Sequence, residues 1–271
     1  MILVTGATGT VGRQVVHQLV QAGRRVRALS RNPAAANLPA GVEVLAGDLA
    51  VPETVAPALA GVEAMHLISF AGEGYAPLET APEIVELSTR AGVGKVTVLT
   101  GYQVGPVERA VEAGGLEWIH VQPVEFMANA LGWAESIRTE GVVRAGFPDQ
   151  PSAKVHEADI AAVVVAALLE DGHAGKSYPV TGPEALTATD TVRTIGAAIG
   201  RDLRLIELTE DQVRDQLRAA GQPDEVVESL VGFGTNPPPE VYTVLPTVEE
   251  VTGRPARTFT QWATEHAGAF R

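Results

Sequence analysis

From the first residue onward, apolar runs of four to six residues alternate with stretches whose apolar positions recur at helical spacing. That alternation is the pattern of βαβ units feeding a parallel sheet. Strands are predicted at Met1–Thr5, Val26–Leu29, Val42–Ala46, Ala64–Ile68, Val96–Thr100, Trp118–Gln122 and Ser177–Thr181. Together they predict one α/β, doubly wound parallel sheet. Between the first two strands, Val11, Val15, Val16, Leu19 and Val20 form a helical stripe that Gly23 ends. Thr80-Ala-Pro-Glu83 reads as a capping box opening a helix to about Ala91, and Asp159 as the N-cap of an apolar helix ending near Glu170.

After Thr181 the pattern changes. A helix is predicted at Thr189–Ile199, a strand-like run at Leu203–Leu208, and further short helices behind the capping boxes Thr209–Gln212, Thr247–Glu250 and Thr258–Gln261. Asn236-Pro-Pro-Pro239 is a turn or linker. The expected division is a sheet domain over residues 1–182 and a smaller C-terminal capping region over 183–271, with residues 126–150 a candidate addition to the cap. Such a cap would sit over the carboxyl ends of the strands, where open α/β sheets bind ligands.

With 271 residues, 45% of them hydrophobic, the chain can bury one large core with an appendage. It has no cysteine, which excludes disulfides and thiolate metal sites. A strand pattern that begins at residue 2 leaves no room for a signal peptide, and the longest apolar run, Ile160–Leu169, is about half of a bilayer span. A soluble, cytoplasmic protein with no membrane partner is expected. The net charge of −13 argues against nucleic acid as a partner. Its distribution is uneven: no Asp or Glu precedes Glu43, while Arg13, Arg24, Arg25, Arg27 and Arg31 all do. A basic start to an acidic protein suits a phosphorylated ligand; the alternative is a chance cluster on solvated edges.

The candidate chemistry begins in that basic segment. Thr5-Gly6-Ala7-Thr8-Gly9-Thr10-Val11-Gly12 follows a strand and opens a helix, the context of a dinucleotide fingerprint. Gly6 allows a tight turn, Gly9 lets backbone N–H groups approach a pyrophosphate, and Gly12 lets the helix pack on the strand. The N-terminus of the helix adds partial positive charge. Gly6, Thr8, Gly9, Thr10, Val11 and Gly12 are therefore assigned to cofactor binding.

The G-x-x-G-x-x-G spacing, with Ser30-Arg31-Asn32-Pro33, Gly47-Asp48-Leu49, Gln122-Pro-Val-Glu-Phe-Met-Ala-Asn129, His156-Glu-Ala-Asp-Ile-Ala161 and Thr252-Gly-Arg-Pro255, resembles the NmrA-like branch of the atypical short-chain dehydrogenase/reductases. The resemblance spans nearly the whole chain and implies a Rossmann fold binding NAD(P). It also implies that Asp48 and Leu49 flank the adenine, a turn-stabilising Asp48 being the alternative. Ile68 and Ser69 would line the path to the nicotinamide ribose. Thr100 and Gly101, with Pro123, Val124 and Phe126, would border the nicotinamide.

At the end of the second strand, where many NAD-binding folds carry an acidic residue, this chain has Ser30 and Arg31. A guanidinium pairs well with a 2′-phosphate, so NADP(H) is favoured over NAD(H); a solvated strand-end arginine is the alternative.

The catalytic signal is weaker. Tyr102 is followed four residues on by Pro106, and the lysines are Lys95, Lys154 and Lys176, so the usual Tyr-x-x-x-Lys dyad is absent. Tyr102 is the first candidate for a replacement acid, a packed or exposed loop tyrosine being its alternative. His156 is the second, against a structural loop histidine, and Glu125 the third. His156, Glu157 and Asp159 lack a second cluster of ligands, so no metal is expected. Phe126, Met127 and Trp133 are an apolar wall for an aromatic substrate or simply core. The resemblance implies an NADP(H)-dependent reductase of a small conjugated or carbonyl-type molecule, of the quinone, enone, imine or dye class. The competing readings are a non-catalytic NAD(P)-sensing regulator and a nonredox isomerase or lyase.

Overall fold

A computed structural model describes residues 1–71, 76–101 and 105–271. In chain order its strands are β1 (Ile2–Val4), β2 (Val26–Ser30), β3 (Glu43–Ala46), β4 (Ala64–Ile68), β5 (Phe70–Ala71), β6 (Ala76–Pro77), β7 (Lys95–Leu99), β8 (Glu117–Pro123), β9 (Val142–Gly146), β10 (Lys176–Val180) and β11 (Arg204–Leu208). Its helices are α1 (Thr10–Gln21), α2 (Ala81–Arg90), α3 (Pro106–Ala113), α4 (Ala134–Glu140), α5 (Glu157–Leu169), α6 (Ala188–Ile199), α7 (Glu210–Ala219), α8 (Asp224–Thr235), α9 (Pro239–Tyr242), α10 (Thr247–Thr252), α11 (Phe259–Glu265) and α12 (Ala267–Phe270). None of them is long and apolar enough to cross a membrane.

The chain divides into two compact units. One comprises residues 1–123, 157–180 and 247–254, the other residues 124–156, 181–246 and 255–271.

The first unit holds a seven-stranded, fully parallel sheet in the order β10-β8-β7-β4-β1-β2-β3. All seven strands read from the apolar runs are present in it. The order reverses beside β1, whose neighbours are β2 and β4, and in open sheets that reversal opens a crevice at the carboxyl ends. One core layer packs Leu3, Met65, Leu67, Val96 and Val98 of the sheet against Ile84 and Val85 of α2 and Val107 and Val111 of α3. On α1, Val11, Val15, Val16 and Leu19 are buried, and on α5 every residue but Val165 and Leu169. A helix apolar on all sides is one enclosed on all sides.

The second unit is built on the parallel pair β9–β11 and a core of Met127, Ile137, Val143, Val192, Ile195, Phe259, Trp262 and Phe270. Trp262 stacks on Phe259 at 5.2 Å and on His266 at 4.3 Å.

Three expected caps are corrected. The Thr80 hydroxyl does not cap α2; it donates to the Leu49 carbonyl at 2.6 Å. Asp159 lies in the first turn of α5, which starts at Glu157, and Thr247 lies inside the first turn of α10. The capping boxes at Thr209–Gln212 and Thr258–Gln261 form as expected.

Candidate functional site

Beyond Val4, the Thr5 side chain joins β1 to β4 where the two strands part. Its hydroxyl donates to the His66 carbonyl and accepts from the Ile68 N–H, both at 3.0 Å. His66 is fully buried beneath this junction, with Nδ1 3.0 Å from the Thr97 hydroxyl; burial pushes its imidazole down to about 4, so it is neutral.

The glycine turn begins at that junction. Gly6 adopts φ +58°, and a Cβ there would lie 2.8 Å from Cγ2 of Ile68 at the end of β4. Gly9 donates to the Gly6 carbonyl at 2.9 Å, and a Cβ on Gly12 would fall 2.1 Å from that same oxygen. No side chain fits at Gly12 without moving backbone. The first intrahelical bond is Arg13 N–H to Gly9 C=O at 3.0 Å, so the N–H groups of Thr10, Val11 and Gly12 precede the helical ladder. Thr8, Gly9 and Thr10 are exposed and Val11 is buried. The result is a glycine-lined surface with backbone donors at the positive end of a twelve-residue helix, an arrangement that accepts a pyrophosphate.

The five early arginines separate by position. Arg27 is buried, paired with Glu43 at 2.9 Å and donating to the Ala58 and Ala60 carbonyls at 2.7 Å, so it is internal structure. Arg24 and Arg25 precede the amino end of β2 and are exposed. Arg31 follows the carboxyl end of β2 and is exposed beside Ser30, whose hydroxyl accepts from the Asn32 N–H at 3.1 Å. Arg13, counted as basic in the sequence but given no role, donates to the Thr8 carbonyl at 3.2 Å and to the Asn37 carbonyl at 2.8 Å. It ties the glycine turn to the segment that carries Arg31. The helical position of Arg13, one residue past Gly12, was the available signal.

Asp48 accepts from the Ala50 N–H at 3.0 Å, while the Thr54 hydroxyl closes the same turn on the Asp48 backbone. Leu49 is buried in the core against the sheet. Ser69 is buried and its hydroxyl donates to the Leu99 carbonyl at 2.9 Å. Thr100 is buried with its N–H on Val121, and exposed Gly101 accepts from the Gln122 amide at 3.2 Å. Pro123 ends β8, while Val124 and Phe126 belong to the second unit. Thus Gly6 to Gly12, Arg31, Asp48, Ile68, Ser69, Thr100, Gly101 and Pro123 all follow or end strands at the carboxyl edge of one sheet. A groove of about 550 Å³ runs along α2 and α3, lined from Pro82 and Pro106 in their first turns to Ala113 and Gly114.

Among the catalytic candidates, Tyr102 lies outside the described residues. His156 is buried, its Nε2 3.3 Å from Glu265 Oε2 within the second unit. Glu125 is half-buried and pairs with the buried Lys154 at 2.9 Å.

A family model described as NAD(P)H-binding matches residues 6–110. Over its whole length the chain is 40% identical to 99% of a (4-alkanoyl-5-oxo-2,5-dihydrofuran-3-yl)methyl phosphate reductase of Streptomyces griseus. It is 35% identical, with the same coverage, to an NAD(P)H azoreductase of Xenophilus azovorans. A solved structure of an Escherichia coli NADPH-dependent quinone oxidoreductase complexed with NADPH superposes with a TM-score of 0.80 at 24% identity, over 98% of this chain and 99% of that one.

Proposed function

The chain belongs to the NAD(P)H-binding, NmrA-like branch of the atypical short-chain dehydrogenase/reductases, and from that premise we propose that it is an NADP(H)-dependent reductase of a small conjugated acceptor. The observation that carries this reading is full-length similarity to two reductases, joined to a glycine turn seated at the reversal of the strand order. The acceptor class follows from what those relatives reduce: an unsaturated lactone in one case, an azo bond in the other. Both are electrophiles in which a conjugated system spreads the charge left by an arriving hydride. When bound, the reduced nicotinamide supplies that hydride.

The residues of this chain hold and orient it. The N–H groups opening α1 meet the pyrophosphate, and Gly6, Gly9 and Gly12 leave it room. Arg31 meets the 2′-phosphate, held in reach by Arg13 through Asn37; an exposed arginine with no acidic residue at the end of β2 supports preference for NADP(H) over NAD(H). Asp48, whose Oδ1 accepts from the Ala50 N–H, would offer its other oxygen to the adenine, and Ile68, Ser69, Thr100, Gly101 and Pro123 would border the nicotinamide half. Tyr102 and His156 remain proposed contributors to proton supply.

The test is NADPH oxidation at 340 nm against a panel of azo dyes, quinones, enones and unsaturated lactones, with NADH in parallel. Turnover of at least one class, faster with NADPH, is expected. Tight NADPH binding with no turnover of any acceptor would overturn the reductase reading and leave a dinucleotide sensor.

A further inference from the structure

An exposed arginine on a free loop has to be ordered before it can hold a phosphate. That ordering costs affinity at the moment of binding, and a segment already fixed in its binding shape avoids it. We propose that Asn37, six residues beyond Arg31, is a specificity-positioning residue for NADP(H). Its left-handed backbone directs its carbonyl onto Arg13 and so fixes the segment that presents Arg31; this rests on the NADP(H) reading above.

Among the described residues, Asn37 and Phe147 are the two non-glycine positions with positive φ, at +37° and +51°. Asparagine enters the left-handed region at lower cost than most L-residues, whereas a β-branched residue there is strained. Asn37 is exposed, and the contact that its conformation makes is through the main chain: its carbonyl accepts from Nη1 of Arg13 at 2.8 Å.

Nη2 of the same guanidinium donates to the Thr8 carbonyl at 3.2 Å. One planar fork therefore spans the glycine turn and the far end of the Arg31 segment. Arg13 is itself well anchored. It follows Gly12, which is packed against the Gly6 carbonyl, and its N–H opens the ladder of α1 on Gly9 at 3.0 Å. Both acceptors of the fork are neutral carbonyls, so the bridge does not cancel the positive charge of Arg13.

Between its ends the segment is pinned repeatedly. The Ser30 carbonyl accepts from the Gly47 N–H at 3.1 Å, and the Ser30 hydroxyl from the Asn32 N–H. Ala35 N–H then donates to Asn32 at 3.2 Å and Ala36 N–H to Pro33 at 3.1 Å, closing a single 3-10 turn over Pro33–Ala35. Ala36 is buried, while Arg31 stays exposed at the start of this frame. Asn37 is where the frame is tied back to α1. Its conformation thus decides whether Arg31 sits on a closed turn or on a loop hinged at one end. NADH lacks the 2′-phosphate, so a device acting through Arg31 acts on NADPH alone.

The experiment uses the full chain, titrated separately with NADPH and NADH by fluorescence. Asn37→Val should raise the Kd for NADPH about 5- to 20-fold, the scale of a residue driven out of the left-handed region, and leave NADH within threefold. Asn37→Gly, which adopts positive φ freely, should stay within threefold of wild type for both. Arg13→Gln/Asn37→Val should be no weaker than the weaker single variant, because both changes break one bridge. Without cofactor, residues 30–37 of Asn37→Val should exchange amide hydrogens faster than in the wild type, with α1 unchanged. In turnover the loss should fall on the KM for NADPH rather than on kcat. Should Asn37→Val fail to fold, Asn37→Ala makes the same comparison with a smaller loss in the same direction.

Equal losses for NADPH and NADH, an Asn37→Gly variant as weak as Asn37→Val, additive losses in the double variant, or unchanged exchange would overturn the assignment. A wild type that prefers NADPH while Asn37→Val binds it unaltered would remove this inference alone. A wild type that binds NADH as tightly as NADPH would remove the NADP(H) reading, and the role of Asn37 with it.

Discussion

The glycine turn and the α7–α8 pair are built on opposite principles. At the turn, each position is set by close approach: Gly12 faces the Gly6 carbonyl with no space for a methyl group, Gly6 abuts the Ile68 side chain, and the Thr5 hydroxyl joins two strands. By contrast α7 has no buried residue and α8 buries only Val227 and Val231. That pair is held by Arg214 to Glu228 at 3.0 Å and Arg218 to Asp224 at 2.9 Å, while Leu230 and Phe233 are each 45% exposed. Exposed ion pairs contribute little and are screened by salt. A turn packed on backbone tolerates no added side chain at Gly12, whereas the exposed face of α7–α8 tolerates many changes.

The comparison breaks first at Gly12. Gly12→Val should weaken NADPH binding more than 100-fold or prevent folding, read by fluorescence titration and thermal melting, because backbone cannot yield by the missing ångström. Beneath the turn, His66 gives the next largest effect. Its imidazole is depressed from 6.5 to about 4 by burial, so the folded state favours the neutral form. Its contribution is complete above pH 6.5 and is lost as pH falls toward 4, amounting to roughly 3 kcal/mol when fully protonated. Urea denaturation at pH 7 and pH 4.5 should show that loss, and His66→Gln should show a shallower one; equal slopes would remove His66 from the account.

At the rim, Arg31→Ser should raise the Kd for NADPH about 10- to 100-fold while leaving NADH within threefold, the magnitude of charge-assisted bonds to one phosphate. Arg13→Gln should have a smaller effect in the same direction, since it acts through the Asn37 segment. Equal losses for both cofactors would assign these arginines to general structure. The smallest effects belong to the other region: Arg214→Ala and Leu230→Ser/Phe233→Ser should each move Tm by about 2 °C or less. A larger shift would mean that α7–α8 is more tightly built than its exposure indicates.

Much of the first region was legible because its determinants are local. A strand, three glycines at fixed spacing and a helical stripe are contiguous in sequence, and the seven strands announced themselves as apolar runs. Errors arose where a side chain had two possible partners. Thr80 stands in a sound capping box, yet its hydroxyl reaches Leu49, thirty-one residues away. Strand β9 escaped because Val-Val-Arg-Ala-Gly is short and its partner β11 lies some sixty residues on. Arg27 looked like part of a phosphate-binding cluster until Glu43 and two carbonyls claimed it.

By itself, then, the amino-acid sequence determined the parallel sheet, the glycine turn and the basic residue after β2, because periodicity, steric size and charge act over a few neighbouring residues. Only the tertiary structure decided which arginines stay open, that Arg13 links the turn to the Arg31 segment, and that Lys154 meets Glu125. Those outcomes depend on which carbonyl or carboxylate folding brings within 3 Å, and no local rule of spacing determines that.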